Sequence, residues 1–331
     1  MRKSWCLIFC LILLFPLNVP AADLTDTGGM LSDADGAKLI QGLQSQGIAV
    51  GSYTLNLNVR VTIPEQVRTD AKGNAVLDAT GKPVTMSGVD LWASLLRPAG
   101  ARKLPTIVIA SAYTREVFLL EFANLVLHDY NILAVDIRGT GSAGGEWGAL
   151  DFPEHYDIAY VIDRFIPAQS WSDGRVGMVG PSYLAITQLL AAGCVERNAD
   201  GEPAHLKAIF PMIPMSDAYR DIVRHGGLFD AEFMLLWMGI TDMCGVFLPN
   251  MLYLGDNFNP TAAQIAEAQA IWREHINAIS TQVGWYFDNV NLVERGQFYD
   301  TRSPMIYWPV KPDPGAADGG WSVPEGGKTI P

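Results

Sequence analysis

The stretch GMVGPSYLAITQLLAAG, residues 177–193, runs from a short apolar segment through one hydroxyl, Ser182, into an amphipathic helical pattern. A buried strand that turns sharply into a helix through Gly-x-Ser lifts the serine oxygen above the sheet and leaves helix N-terminal amides beside it. Nucleophilic acyl transfer needs that arrangement, because attack on an acyl carbon creates an oxyanion that preorganised donors must meet. The plainer alternative for Ser182 is a small residue in a tight turn.

A nucleophilic serine also needs a histidine base and a carboxylate, which hydrolases with this elbow supply later in the chain, acid first and histidine second. The five histidines do not follow that order. His128 and His155 precede Ser182 on predicted helices, His205 precedes a predicted strand, and His225 and His275 fall in a helical region. A second motif competes for attention: Gly139, Gly141 and Gly144 in DIRGTGSAGGEW, residues 136–147, satisfy the G-x-G-x-x-G of dinucleotide sites. In a true site the third glycine already lies in a helix, whereas Gly145, Trp147 and Pro153 prolong a loop here, and no acidic residue ends a following strand at the expected distance. The segment reads instead as a Gly-rich loop needing positive φ, fixed by Asp136 and Arg138. No cofactor or metal is implied, because no His, Cys or carboxylate cluster has ligand spacing.

The elements that must position these residues follow from periodicity. SYTLNLNVRVTIP and GVDLWASLLRP alternate apolar and polar residues at period two and read as antiparallel edge strands joined by a hairpin connection. TIVIASA and NILAVDI are continuous apolar runs separated by the helix-like VFLLEFANLVLHD, the pattern of buried parallel strands with a crossover. HYDIAYVIDRFI then reads as a helix, RVGMVG as a strand, YLAITQLLAAG as its helix and LKAIFPMIP as a fourth strand. The fold class is α/β with one mostly parallel sheet. Ligands in such sheets sit beyond the carboxyl ends of the strands, which brings SAYTR (111–115), DIRGTGSAGGEW and GPSYLA (180–185) to one edge.

Composition bounds the partners. The 331 residues are 49% hydrophobic and 18% charged, enough for a large core, and the net charge of −12 without any basic run argues against nucleic acid. At the N-terminus, Arg2 and Lys3 precede an apolar run from Leu7 to Leu17 and then the small residues of VPAAD. This reads as an export signal cleaved after Ala21 or Ala22, and the run is shorter than the roughly 20 residues a membrane span needs. A secreted or periplasmic chain without a stable membrane anchor follows. The mature chain keeps two cysteines, Cys194 and Cys244, read as two buried thiols, with a disulfide between them as the alternative that an oxidising compartment would permit.

Taken together, GVDLWASLLRP, ASAYTR, DIRGTGSAGGEW, WSDGRVGMVGPSYLA and MIPMSDAYRDIVRHGGLFDAEFMLLWM resemble, in order and spacing, the α/β-hydrolases grouped with bacterial cocaine esterase, X-Pro dipeptidyl-peptidases and α-amino-acid ester hydrolases. The resemblance implies Ser182 as nucleophile, with an oxyanion hole built from the backbone N–H of Tyr183 and the hydroxyl of Tyr113. It implies a small ester, amide or N-terminal peptide substrate. Leu184 stands where generic hydrolases have a glycine, which the family tolerates; Ala185 replaces the family's usual glycine, and Pro181 directly before the serine is also unusual. A non-catalytic binding protein on the same scaffold is the alternative.

The expected organisation is an export signal over 1–22, a polar segment over 23–50, a hydrolase core over 51–215, a helical cap over 216–300 and a return segment over 301–331. Within the cap, Phe229, Phe233, Trp237 and Met238 are candidates to line an apolar acyl or leaving-group pocket. FYDTRSPMIYWPVKPDPG resembles the family's approach to its next core strand, so the expectation is a chain that ends before the acid, the histidine and a C-terminal β-sandwich.

Overall fold

The computed structural model describes residues 41–48, 51–69, 74–113, 115–246, 262–291, 297–307, 311–312 and 321–322. The predicted export signal lies outside the described residues, as does most of the polar segment. Among the described residues no helix is long and apolar enough to cross a membrane.

Six strands form one sheet: β1 (Tyr53–Ile63), β2 (Val89–Pro98), β3 (Leu104–Ser111), β4 (Asn131–Asp136), β5 (Ser172–Pro181) and β6 (Leu206–Met212). Their order is β1-β2-β4-β3-β5-β6. The first two neighbour pairs, β1 with β2 and β2 with β4, are antiparallel. The remaining pairs, β3 with β4, β3 with β5 and β5 with β6, are parallel. The mostly parallel sheet read from the apolar runs is therefore present.

One expectation is corrected. Of the two strands read as edge strands only β1 lies at an edge of the described sheet, because β2 pairs on both sides and is almost wholly buried. Its alternation at period two marked one strand partner correctly and gave no sign of the second. The connection between them is also more than a hairpin turn: Gln66–Val67 pairs with Thr85–Met86 in a small ladder of its own.

Helices cover the sheet where crossovers require them: α1 (Arg115–Phe122), α2 (Phe152–Tyr160) and α3 (Tyr183–Cys194). The start of α2 is set locally. Asp151 caps it by accepting from the Glu154 amide, Pro153 sits in the first turn, and the Glu154 carboxylate reaches back to the Leu150 amide at 2.9 Å. Beyond β6 come α4 (Ala231–Thr241) and the 30-residue α5 (Ala262–Asn291), helical as expected for a cap. Because β3, β4, β5 and β6 run the same way, the segments after their carboxyl ends share one edge of the sheet.

Candidate active site

Ser182 sits between β5 and α3 with φ +54° and ψ −121°, a conformation that costs a non-glycine residue of order 1–3 kcal/mol. The fold enforces it from both sides. The Ser182 amide donates to the Met212 carbonyl of β6 at 2.9 Å, while its carbonyl accepts from the Ala185 and Ile186 amides of α3. Gly180 explains the motif's glycine: its φ is +150°, and a Cβ there would lie 2.5 Å from the Leu184 Cβ. Pro181 is accommodated within β5, paired with Met212. The first amides of α3, beginning with Tyr183, have no intrahelical partner and sit beside the serine.

Tyr113 follows the carboxyl end of β3, as its motif implied. Its turn is tied down by Asp136 at the end of β4, which accepts from the Arg115 amide at 3.0 Å and the Ser142 amide at 3.0 Å and forms a buried ion pair with the Arg115 guanidinium. The glycine loop thus wraps the Asp136 carboxylate. Gly141 has φ +54°, and a Cβ on it would lie 2.4 Å from Asp136. Arg138 is held by both oxygens of Asp157 at 2.8 Å.

The Tyr113 hydroxyl accepts a hydrogen bond from the Trp237 indole of α4 at 2.8 Å. Its own proton is left to donate, and the Ser182 and Thr241 side chains lie close to it. Burial pushes the phenol up to about 12, so it stays a donor across the physiological range. Trp237 was a pocket candidate from the sequence, but its hydrogen bond to Tyr113 was not foreseen. No local signal identifies a cap tryptophan 124 residues downstream as the partner of this tyrosine.

Tyr183 contributes its amide to the edge and sends its side chain elsewhere. The ring packs edge-on to Tyr113 at 5.8 Å and stacks with Trp237 at 6.3 Å. Its hydroxyl accepts from the Trp147 indole and the Leu150 amide, each at 3.0 Å, and donates to Glu154 Oε2 at 2.6 Å. Burial pushes Glu154 up to about 8. Glu154 therefore takes up a proton on folding at neutral pH, and its contribution to stability falls as pH rises from about 4.5 through about 8. Glu154→Gln, neutral at every pH, is expected to flatten the loss of thermal stability between about pH 5 and 8. Parallel melting curves against pH for the two proteins would show that Glu154 titrates normally.

An open, mostly apolar pocket adjoins Ser182. Phe233, Trp237 and Met238 line it together with Trp147, Trp285 and Met215, while Phe229 packs against Tyr286 instead, at 5.8 Å. Three of the four cap candidates thus reach the pocket. Cys194 and Cys244 are both half-buried and form no disulfide among the described residues, and the Cys194 thiol lies 3.0 Å from the Tyr307 hydroxyl.

The histidines lie elsewhere. His155 bonds the Leu150 carbonyl and the Tyr307 hydroxyl, and burial pushes it down to about 3. His205 bonds the Gly174 carbonyl, His225 the Asp221 carbonyl and His275 the Ala143 carbonyl. His128 ends the helical segment that leads into β4, at the opposite edge of the sheet from Ser182. Among the described residues no group of three or more His, Cys, Asp or Glu side chains is placed to hold a metal ion.

A mostly parallel sheet with a strained Gly-x-Ser turn at its carboxyl edge and a helical cap above it defines an α/β-hydrolase. Residues 87–304 match the X-Pro dipeptidyl-peptidase (S15) family, and the chain belongs to that family. It is 32% identical over 162 residues to the cocaine esterase of Rhodococcus sp. (strain MB1 Bresler), covering 46% of this chain and 26% of that protein. It is 29% identical over 182 residues to the putative serine esterase Mb1866c of Mycobacterium bovis, covering 46% and 27%. The chain therefore spans about a quarter of the length of these curated relatives. Among solved structures it is similar to a CocE/NonD family hydrolase of Staphylococcus aureus, at 23% identity and a TM-score of 0.41, covering 63% of this chain and 43% of that one. An α-amino-acid ester hydrolase is similar at 17% identity and a TM-score of 0.46, covering 85% and 42%.

Proposed function

We propose that the protein is an exported serine hydrolase that cleaves esters or N-terminal peptide or amide bonds through an acyl-enzyme on Ser182. The observation that carries this reading is the strained backbone of Ser182, at φ +54°, with the Tyr113 hydroxyl as its side-chain neighbour. Attack by Ser182 Oγ on the acyl carbon would create an oxyanion, for which this reading assigns the Tyr183 amide and the Tyr113 phenol as the two donors. The proton leaving Ser182 needs a base. All five histidines of the chain lie among the described residues, four engaged with other groups and His128 at the far edge, so the reading assigns the base to a histidine outside these 331 residues. The relatives' names, cocaine esterase and serine esterase, favour ester over peptide substrates.

The same placement of the histidines favours a second reading, a binding protein on a hydrolase scaffold. The two are separated by treating the 331-residue polypeptide and the full reading frame with a fluorophosphonate probe and mapping the modified residue. Slow labelling of Ser182 in the former and rapid labelling in the latter is expected. Absence of labelling in both would leave the binding reading.

A further inference from the structure

Among the described residues Arg302 is the one charged side chain that lines the cavity beside Ser182. It follows the short helix Gln297–Asp300, and its guanidinium is held by neutral oxygens alone: Nη1 donates to the Phe298 carbonyl at 3.0 Å and to Thr301 Oγ1 at 3.2 Å, and Nη2 to the Gly148 carbonyl at 3.0 Å. The head group lies over the Phe298 ring at 3.9 Å and near the Trp285 ring at 5.7 Å. Its Nε is buried without an acceptor among the described residues. No carboxylate among the described residues lies close enough to form an ion pair with it, the strongest opposite charge acting on it being that of Asp151, whereas Arg115 and Arg138 are directly paired. Leaving a buried charged donor unmatched costs more than leaving a neutral one, and the Nε–Nη2 edge of arginine is the edge that accepts a carboxylate as a two-pronged fork.

We propose that Arg302 anchors a carboxylate in this pocket, so that the preferred ligands are apolar or aromatic acids and the preferred substrates are esters or amides carrying such a carboxylate apart from the scissile bond. The tryptophans and methionines would cover the apolar body of the ligand while Arg302 takes its charged end. The net charge of −12 repels anions at long range, so any carboxylate preference must come from a local cation, and the pocket has one. The substrate half of the proposal rests on the acyl-transfer reading; the ligand half does not.

The test reads binding alone. Trp147, Trp237 and Trp285 line the cavity and report occupancy by their fluorescence. The 331-residue protein is titrated with 4-phenylbutanoate and with its neutral amide, 4-phenylbutanamide. The carboxylate is expected to bind about 10-fold more tightly than the amide, the scale of one charge-assisted contact. Arg302→Gln should erase that preference and leave the amide affinity within about 2-fold. Equal affinities in the wild type, no quenching by either compound, or a preference that survives Arg302→Gln would overturn the proposal. If Arg302→Gln shows no cooperative melt, Arg302→Lys decides: retention of the charge without the fork should weaken carboxylate binding by about 3-fold or more, and an unchanged preference would count against the anchor. Because no ester is cleaved in this assay, serine labelling can fail while Arg302 passes, and the reverse.

Discussion

Ser182→Ala is expected to abolish ester turnover by the full reading frame, lowering kcat by at least about 10³-fold. The substitution removes one oxygen and little else, because alanine can keep the backbone contacts that hold the elbow: the amide to Met212 and the carbonyl to the first turn of α3. Thermal stability should stay near the wild-type value, since the φ of +54° is strained for serine and alanine alike. Loss of turnover with an unchanged melt would then report chemistry and not unfolding. Fluorophosphonate labelling should disappear in parallel. A variant that hydrolyses p-nitrophenyl acetate at the wild-type rate would show that acyl transfer, if it occurs, uses another group.

The second large effect is expected at Tyr113. Tyr113→Phe removes a hydroxyl that neighbours Ser182 and should lower kcat by about 10²-fold, the scale of one oxyanion donor, with a much smaller change in KM. The same hydroxyl accepts from the Trp237 indole at 2.8 Å. Its loss strands a donor, and a fall in stability of about 1–3 kcal/mol is expected alongside the rate effect. A purely structural role predicts the stability loss without the kcat loss, so the two readouts together assign the residue. With its phenol at about 12, Tyr113 should put no alkaline limb into the kcat profile below about pH 10. An unchanged kcat on an ester whose acylation limits the rate would return Tyr113 to the role of a core residue.

What the amino-acid sequence determined by itself was whatever is carried by short-range pattern. Continuous apolar runs at TIVIASA and NILAVDI, separated by a helix, admit few arrangements other than a buried parallel pair, and β3 and β4 are that pair. Gly180 before Ser182 is local in the same sense. The steric conflict that excludes any other residue there involves Leu184, four positions away, so it is written into the motif. The glycine loop could also be separated from a nucleotide site by the residues that follow it, and the structure shows Gly141 turning around Asp136.

The tertiary structure decided everything that depends on which distant segments meet. That β2 is interior could not be read from its alternation, because period two records faces and not the number of hydrogen-bonded neighbours. Cap periodicity announced an apolar stripe without saying which residues face the sheet. Phe233, Trp237 and Met238 reach the pocket and Phe229 does not, a choice made by the packing of α4 against α5 and the core. The links from Trp237 to Tyr113, from Tyr183 to Glu154 and from Arg302 to Gly148 join residues 124, 29 and 154 positions apart. Hydrogen bonds of that kind leave no periodic trace in a single sequence, because their geometry exists only once the sheet and cap have brought the partners within about 3 Å.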